Sequence, residues 1–137
     1  DHMVDLETAV ANANASMGNL GYLTNTKVRG KLKGTTKANN QNGFVFEQGD
    51  MPLNGYRAGI TNAVPSNLTK GTGTDLSAIL FGNFADLLIG MWGGLDLTVD
   101  PYSGSTSGTV RVVALQDVDV AIRHAESFAT MVDAITA

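Results

Sequence analysis

Two long stretches of alternating hydrophobicity, Leu87 to Asp100 and Val110 to Arg123, constrain this chain more than any other feature. Leu95, Leu97 and Val99 alternate with Asp96, Thr98 and Asp100 until Pro101, and Val118, Val120 and Ile122 alternate with Asp117, Asp119 and Arg123. A period of two belongs to a strand with one apolar and one polar face. Tyr102 to Thr109, rich in Gly, Ser and Thr, joins the two strands as an antiparallel hairpin with a long connection. Val113 and Leu115 fall in the opposite phase to Val118 and Val120, which predicts a bulge or a change of buried face nearby. A long ribbon of this kind needs its edges paired or blunted by charge, and Asp96, Asp100, Asp117 and Asp119 are placed to blunt them.

The remaining sequence supplies a core for that ribbon to extend. Ala78 to Phe84 is an apolar run interrupted by Gly82, as expected of a strand covered on both faces. Upstream, Asp5 can cap a helix that puts Leu6, Val10, Ala13 and Met17 on one face and ends at Gly18. Gly21 to Leu23 reads as a short buried strand, and Asn25 as the cap of a second helix with Val28 and Leu32 four apart. Phe44 to Phe46 and Tyr56 to Val64 are further strands, the latter ended by Pro65, and Ser66 to Asp75 is a polar loop. Phe128, Met131 and Ile135 have helical spacing, predicting a short terminal helix after a break at His124. Asp1-His2-Met3 reads as a cloning remnant outside the fold. The sum is an α+β chain: a central mixed sheet from Tyr22, Phe44 to Phe46, Tyr56 to Val64 and Ala78 to Phe84, flanked by helices and extended by the 87–123 ribbon.

Composition narrows the function. The 137 residues suffice for one domain with its own core, and 16% charged residues is below the ~25% usual for soluble domains. A net charge of -4 argues against general phosphate-backbone binding. With no Cys there are no disulfides, thiol nucleophiles or thiolate metal sites. No apolar run approaches the ~20 residues that span a bilayer, and no signal sequence opens the chain, so a soluble, unsecreted protein is expected.

Four constellations invite a chemical reading, and each has a plainer one. Lys27, Arg29, Lys31, Lys33 and Lys37 crowd eleven positions and could meet an acidic neighbour or nucleic acid; a solvated helix face is favoured, since no aromatics interleave for base stacking. His124 with Ser127 three positions on would have to serve any Ser-His-Asp arrangement, but a surface or partly satisfied His is the commoner outcome. Asp117 and Asp119 share one strand face, where a solvated pair outweighs acid-base or metal chemistry. Trp92, beside Met91 and Gly93-Gly94, could stack on a sugar and more often packs at the root of a ribbon. No catalytic, cofactor-binding or metal-ligating residue is assigned, no cofactor is expected, and the chain is read as a non-enzyme.

The order of these elements resembles the carboxy-terminal part of tailed-phage major capsid proteins. That order is the Gly21 to Asn25 turn, the Ala78-Ile79-Leu80-Phe81-Gly82-Asn83-Phe84 strand, two long strands around a Gly/Ser loop, and His124-Ala125-Glu126-Ser127-Phe128. The resemblance runs from about Val4 to Met131 and implies a fragment of the HK97-like fold. Residues 4–137 would then form a single domain matching the axial domain, with about 87–123 forming peripheral-domain strands. It implies a structural subunit of a phage or prophage icosahedral shell that self-assembles around DNA without sequence-specific binding and involves no membrane. Its partners would be copies of itself and, in addition, scaffold, protease or portal proteins; its place would be the virion capsid, and the host cytoplasm during assembly. The Thr35 to Asn42 and Ser66 to Asp75 loops would lie near a local fivefold or sixfold axis. An encapsulin-like compartment shell and an unrelated ligand-binding or hydrolytic domain centred on Trp92 and Asp117/Asp119 are the alternatives.

Overall fold

The computed structural model describes residues 2–37 and 43–136. The chain divides into two compact units, one made of the described residues up to Asp86 and from His124 onward, the other of Leu87–Arg123.

The first unit is built on α1 (His2–Asn12), β1 (Leu20–Thr24), α2 (Thr26–Gly34), β2 (Arg57–Ile60), β3 (Leu68–Lys70), β4 (Gly73–Asn83) and β7 (Phe128–Ile135). Its mixed sheet is organised by β4, which pairs antiparallel with β1, β3 and β7, while β1 pairs in parallel with β2. The apolar run of β4 is central for the expected reason: from Leu76 to Asn83 all its residues but Leu80 are buried. Its Phe81 ring meets Tyr22 of β1 at 4.5 Å and Tyr56 at 5.2 Å, and Met3, Leu6, Val10, Val28, Leu53, Ile79 and Ala134 complete the core. Asn25 caps α2 as its position predicts, its Oδ1 accepting from the Val28 amide at 2.9 Å while Val28 is buried.

Several expectations need correction. Residues 128–135 are a strand, not a helix: β7 lies along β4, pairing from Gly82↔Phe128 to Leu76↔Ile135. Apolar residues three and four apart mark a helix only while no sheet edge competes, and the β4 edge satisfies β7's backbone groups through a full ladder. The opening helix starts at His2 and stops at Asn12, so Asp5 lies in its first turn and does not cap it. Met3 is 5% exposed and its carbonyl accepts the Tyr22 hydroxyl at 3.0 Å, so Met3 belongs to the fold. Beyond the helix, Asn14 takes a positive φ and Met17 is exposed instead of continuing the apolar face. Phe44 to Phe46 forms no strand beyond one bridge between Thr36 and Phe44; Phe44 is exposed, and Leu53 brings this segment into the core. The strand expected over 56–64 is confined to Arg57–Ile60, and the 66–75 loop contains β3 and its tight turn into β4. The Thr35 to Asn42 loop falls in part outside the described residues, at 38–42. No helix among the described residues is long and apolar enough to cross a membrane.

The second unit is the ribbon. β5 (Leu87–Asp100) and β6 (Arg111–Ile122) pair antiparallel from Leu87↔Ile122 to Asp100↔Arg111, as the alternation predicts. The register shifts between Trp92↔Asp117 and Asp96↔Leu115, so Gly93, Gly94 and Leu95 stand opposite Gln116 alone. Gly93 takes a left-handed φ of 66°, and Gln116 Nε2 donates to the Trp92 carbonyl at 3.0 Å across the bulge. A bulge is present as expected, but its extra residues are on β5, β6 runs without a break, and no face is exchanged. An excess of two residues on β5 preserves the alternation, and Val113 and Leu115 sit on the polar side.

Candidate functional site

Directly opposed residues of an antiparallel pair share a face, so the register sorts the ribbon's side chains. Leu87, Ile89, Met91, Leu97 and Val99 of β5 lie with Val112, Ala114, Val118, Val120 and Ile122 of β6. The sole polar side chain they meet is that of Gln116, already bonded across the bulge. Every charged residue of the two strands, Asp96, Asp100, Arg111, Asp117 and Asp119, falls on the other face, together with Trp92. The uncharged face lies open: Met91 is 71% exposed, Ile89 and Val112 63% each. A two-stranded ribbon is marginal alone in water, and a contiguous exposed apolar stripe of this length is the kind of surface through which proteins associate.

The Gly82-Asn83-Phe84 segment does structural work at the end of β4. Asn83 is 6% exposed; its Oδ1 accepts from the Asn19 and Ala85 amides at 3.0 and 3.1 Å. Its Nδ2 donates to the Met17 carbonyl at 2.8 Å and to Asp86 Oδ2 at 3.2 Å. Ser127, 1% exposed, donates to the same Asp86 oxygen at 2.7 Å. Gly82 must lack a side chain because a Cβ there would come within 2.3 Å of the Phe128 ring and 2.7 Å of the Ser127 carbonyl. Phe128 in turn meets Phe84 edge to face at 5.6 Å. The His-Ala-Glu-Ser-Phe segment is thus docked onto the Gly-Asn-Phe turn, a pairing that neither stretch reveals separately.

His124 Nδ1 does approach Ser127 Oγ, at 3.2 Å, and Asp86 completes the residue types of a hydrolytic triad. A triad needs the hydroxyl turned to the imidazole and free toward substrate, whereas here Ser127 Oγ donates to the Asp86 carboxylate and Ser127 is buried. Asp117 and Asp119 line an open sheet face, with Asp119 Oδ1 turned back to the Val120 amide at 2.8 Å. Trp92 does not pack inward: it is 56% exposed and lies over Gly90, bordering a shallow recess of about 180 Å³ with Leu88, Asp119 and Ala121. Among the described residues no group of three or more acidic, His or Cys side chains is arranged to hold a metal. Of the basic cluster, Lys33 sits 5.7 Å over the Phe46 ring and Lys37 pairs with Glu47, while Lys27 and Arg29 project from α2.

The sequence profile of the Phage capsid family matches residues 1–133. The chain is 35% identical over 128 residues to the major capsid protein of Halomonas phage phiHAP-1, covering 93% of this chain and 19% of that protein. Its structure is similar to the capsid of an empty GTA particle, with a TM-score of 0.61 and 19% identity over 93% of this chain and 44% of the other. The chain therefore spans about a fifth of its curated relative, and its α+β architecture is that of an HK97-like fold. With the profile extending over nearly all its residues, the chain belongs to the phage capsid family.

Proposed function

We propose that this chain is part of a major capsid protein that self-assembles into an icosahedral shell around phage or prophage DNA, with a structural and not an enzymatic role. The observation that carries the reading is the open, uncharged face of the ribbon, in a chain of this family, where an isolated soluble domain would hide such a surface. In the parent polypeptide we take the first unit as the axial domain and residues 87–123 as strands of the peripheral domain. The uncharged ribbon face is then buried by polypeptide beyond these 137 residues. Many modest contacts repeated by symmetry would sum to a stable shell, closing around local fivefold and sixfold axes near the 35–42 and 66–75 loops. Assembly in the host cytoplasm, aided by scaffold, protease or portal proteins, completes the proposal.

A compartment filled with enzyme cargo shares the fold, but the phage relative favours DNA. The test is electron microscopy with light scattering on the full-length parent, expressed alone and with its neighbouring gene products. Uniform closed particles containing DNA are the expected result. Soluble monomers in both preparations would refute the shell, and packed protein without DNA would refute the phage assignment.

A further inference from the structure

We propose that α2 of one copy docks against the acidic face of the ribbon of a neighbouring copy, with Trp92 seated on the helix between two basic ridges. The inference rests on the shell reading and names one of its contacts. Helical spacing sorts α2 into three strips: Val28 and Leu32 face the core, and Gly30 and Gly34 face away from it. Lys27 and Lys31 form one flank and Arg29 and Lys33 the other. An added Cβ at Gly30 or Gly34 would meet nothing within 4 Å, so nothing among the described residues requires glycine there. Glycine weakens a helix, and what it offers in return is a floor on which a flat group can approach the backbone.

The ribbon carries the complement. Trp92, Asp117 and Asp119 lie on one face: Trp92 is directly opposite Asp117, and Asp119 is the next residue on that side. Alternate strand residues are about 7 Å apart, close to the about 6 Å rise between residues four apart on a helix. The two carboxylates therefore match a basic ridge in spacing as well as sign. An indole on the glycine floor beside Arg29 would gain a cation-π contact, and a half-exposed Trp flanked by charges is the kind of anchor on which interfaces depend. Because the two surfaces differ, the contact is heterologous and propagates from copy to copy, as a ring or shell requires.

The test uses the full-length parent under conditions where it forms particles, so that failure of the shell reading is seen first as the absence of wild-type particles. R29E with K33E, and separately D117K with D119K, are each expected to abolish closed particles while leaving the circular dichroism spectrum unchanged. The combination of all four is expected to restore particles. Gly30→Gln keeps every charge and fills the floor; particles should be lost while the thermal midpoint of the isolated chain rises or holds. Wild-type particles with unimpaired assembly of both charge variants would overturn the contact and leave the shell intact. Failure of the fourfold variant to assemble, although folded, would overturn it too. Normal but DNA-free shells from R29E/K33E would overturn it in favour of α2 facing nucleic acid.

Discussion

Replacing Asn83 tests whether the buried knot at the end of β4 holds the first unit together. Asn83→Ala removes four hydrogen bonds of 2.8 to 3.2 Å and leaves the Asn19 amide and Met17 carbonyl short of a partner at a site where Asn83 itself is 6% exposed. At about 1 kcal/mol net for each bond, the loss is about 4 kcal/mol. For a unit of this size that lowers the thermal midpoint by roughly 15 to 30 °C. Asn83→Asp separates hydrogen bonding from charge. The shape and the two accepted amide bonds persist, but a second carboxylate is placed where Nδ2 now stands 3.2 Å from Asp86 Oδ2. Two carboxylates so close resist joint ionisation, so one keeps its proton in the folded state and its pKa rises above the unfolded value. The aspartate variant should therefore lose stability as pH rises above the ordinary carboxylate range and recover it in acid, while the alanine variant shows no such recovery. Urea denaturation followed by far-ultraviolet circular dichroism at several pH values measures both. A loss under about 1 kcal/mol for Asn83→Ala, which is the value of one such bond, would refute the reasoning.

Three further outcomes follow from the structure. Burial raises the Tyr22 phenol from 10.0 to about 12. The stability this represents is complete below pH 10 and lost as pH rises through about 12; the hydrogen bond from Tyr56 to Glu7 raises that phenol too, so phenolate absorbance should show Tyr22 as the last component of a late titration, and Tyr22→Phe should remove that last component. Met3→Ala should cost about 2 to 4 kcal/mol by calorimetry because the side chain is a core element, whereas a loss near zero would restore residues 1–3 to the status of an appendage. Val118→Asp introduces a charge on the uncharged ribbon face; it should change the stability of the isolated chain by less than about 1 kcal/mol yet prevent particle formation by the full-length parent, and normal particles would show that this face stays open.

The elements legible from residue order alone are those whose signal is local. The ribbon was legible because two runs of period two, 95–100 and 117–123, leave little freedom once a turn lies between them. The start of α2 was legible because Asn25 satisfies an amide three residues away. The apolar continuity of Ala78 to Phe84 announced a strand covered on both faces, and that strand ends at Asn83. Whatever depended on a partner distant in the chain was settled by long-range contacts. Phe128 to Ile135 is a strand because the β4 edge was available, and Met3 is core because Tyr22 of β1 lies beneath it. Leu53 is fully buried within a segment that has almost no regular structure of its own. The same holds for the chemistry: Ser127, His124 and Asp86 are near one another, yet only the direction of the serine's hydrogen bond shows the group to be a clasp and not a catalytic site. Even the ribbon kept one property from sequence reading, since an out-of-phase Val113 and Leu115 could mean a change of face. Register alone shows that the bulge holds two extra residues and keeps one side uncharged from end to end. Local patterns fix dihedral preference and amphipathicity, while register and edge pairing are set by contacts whose sequence separation no local pattern encodes.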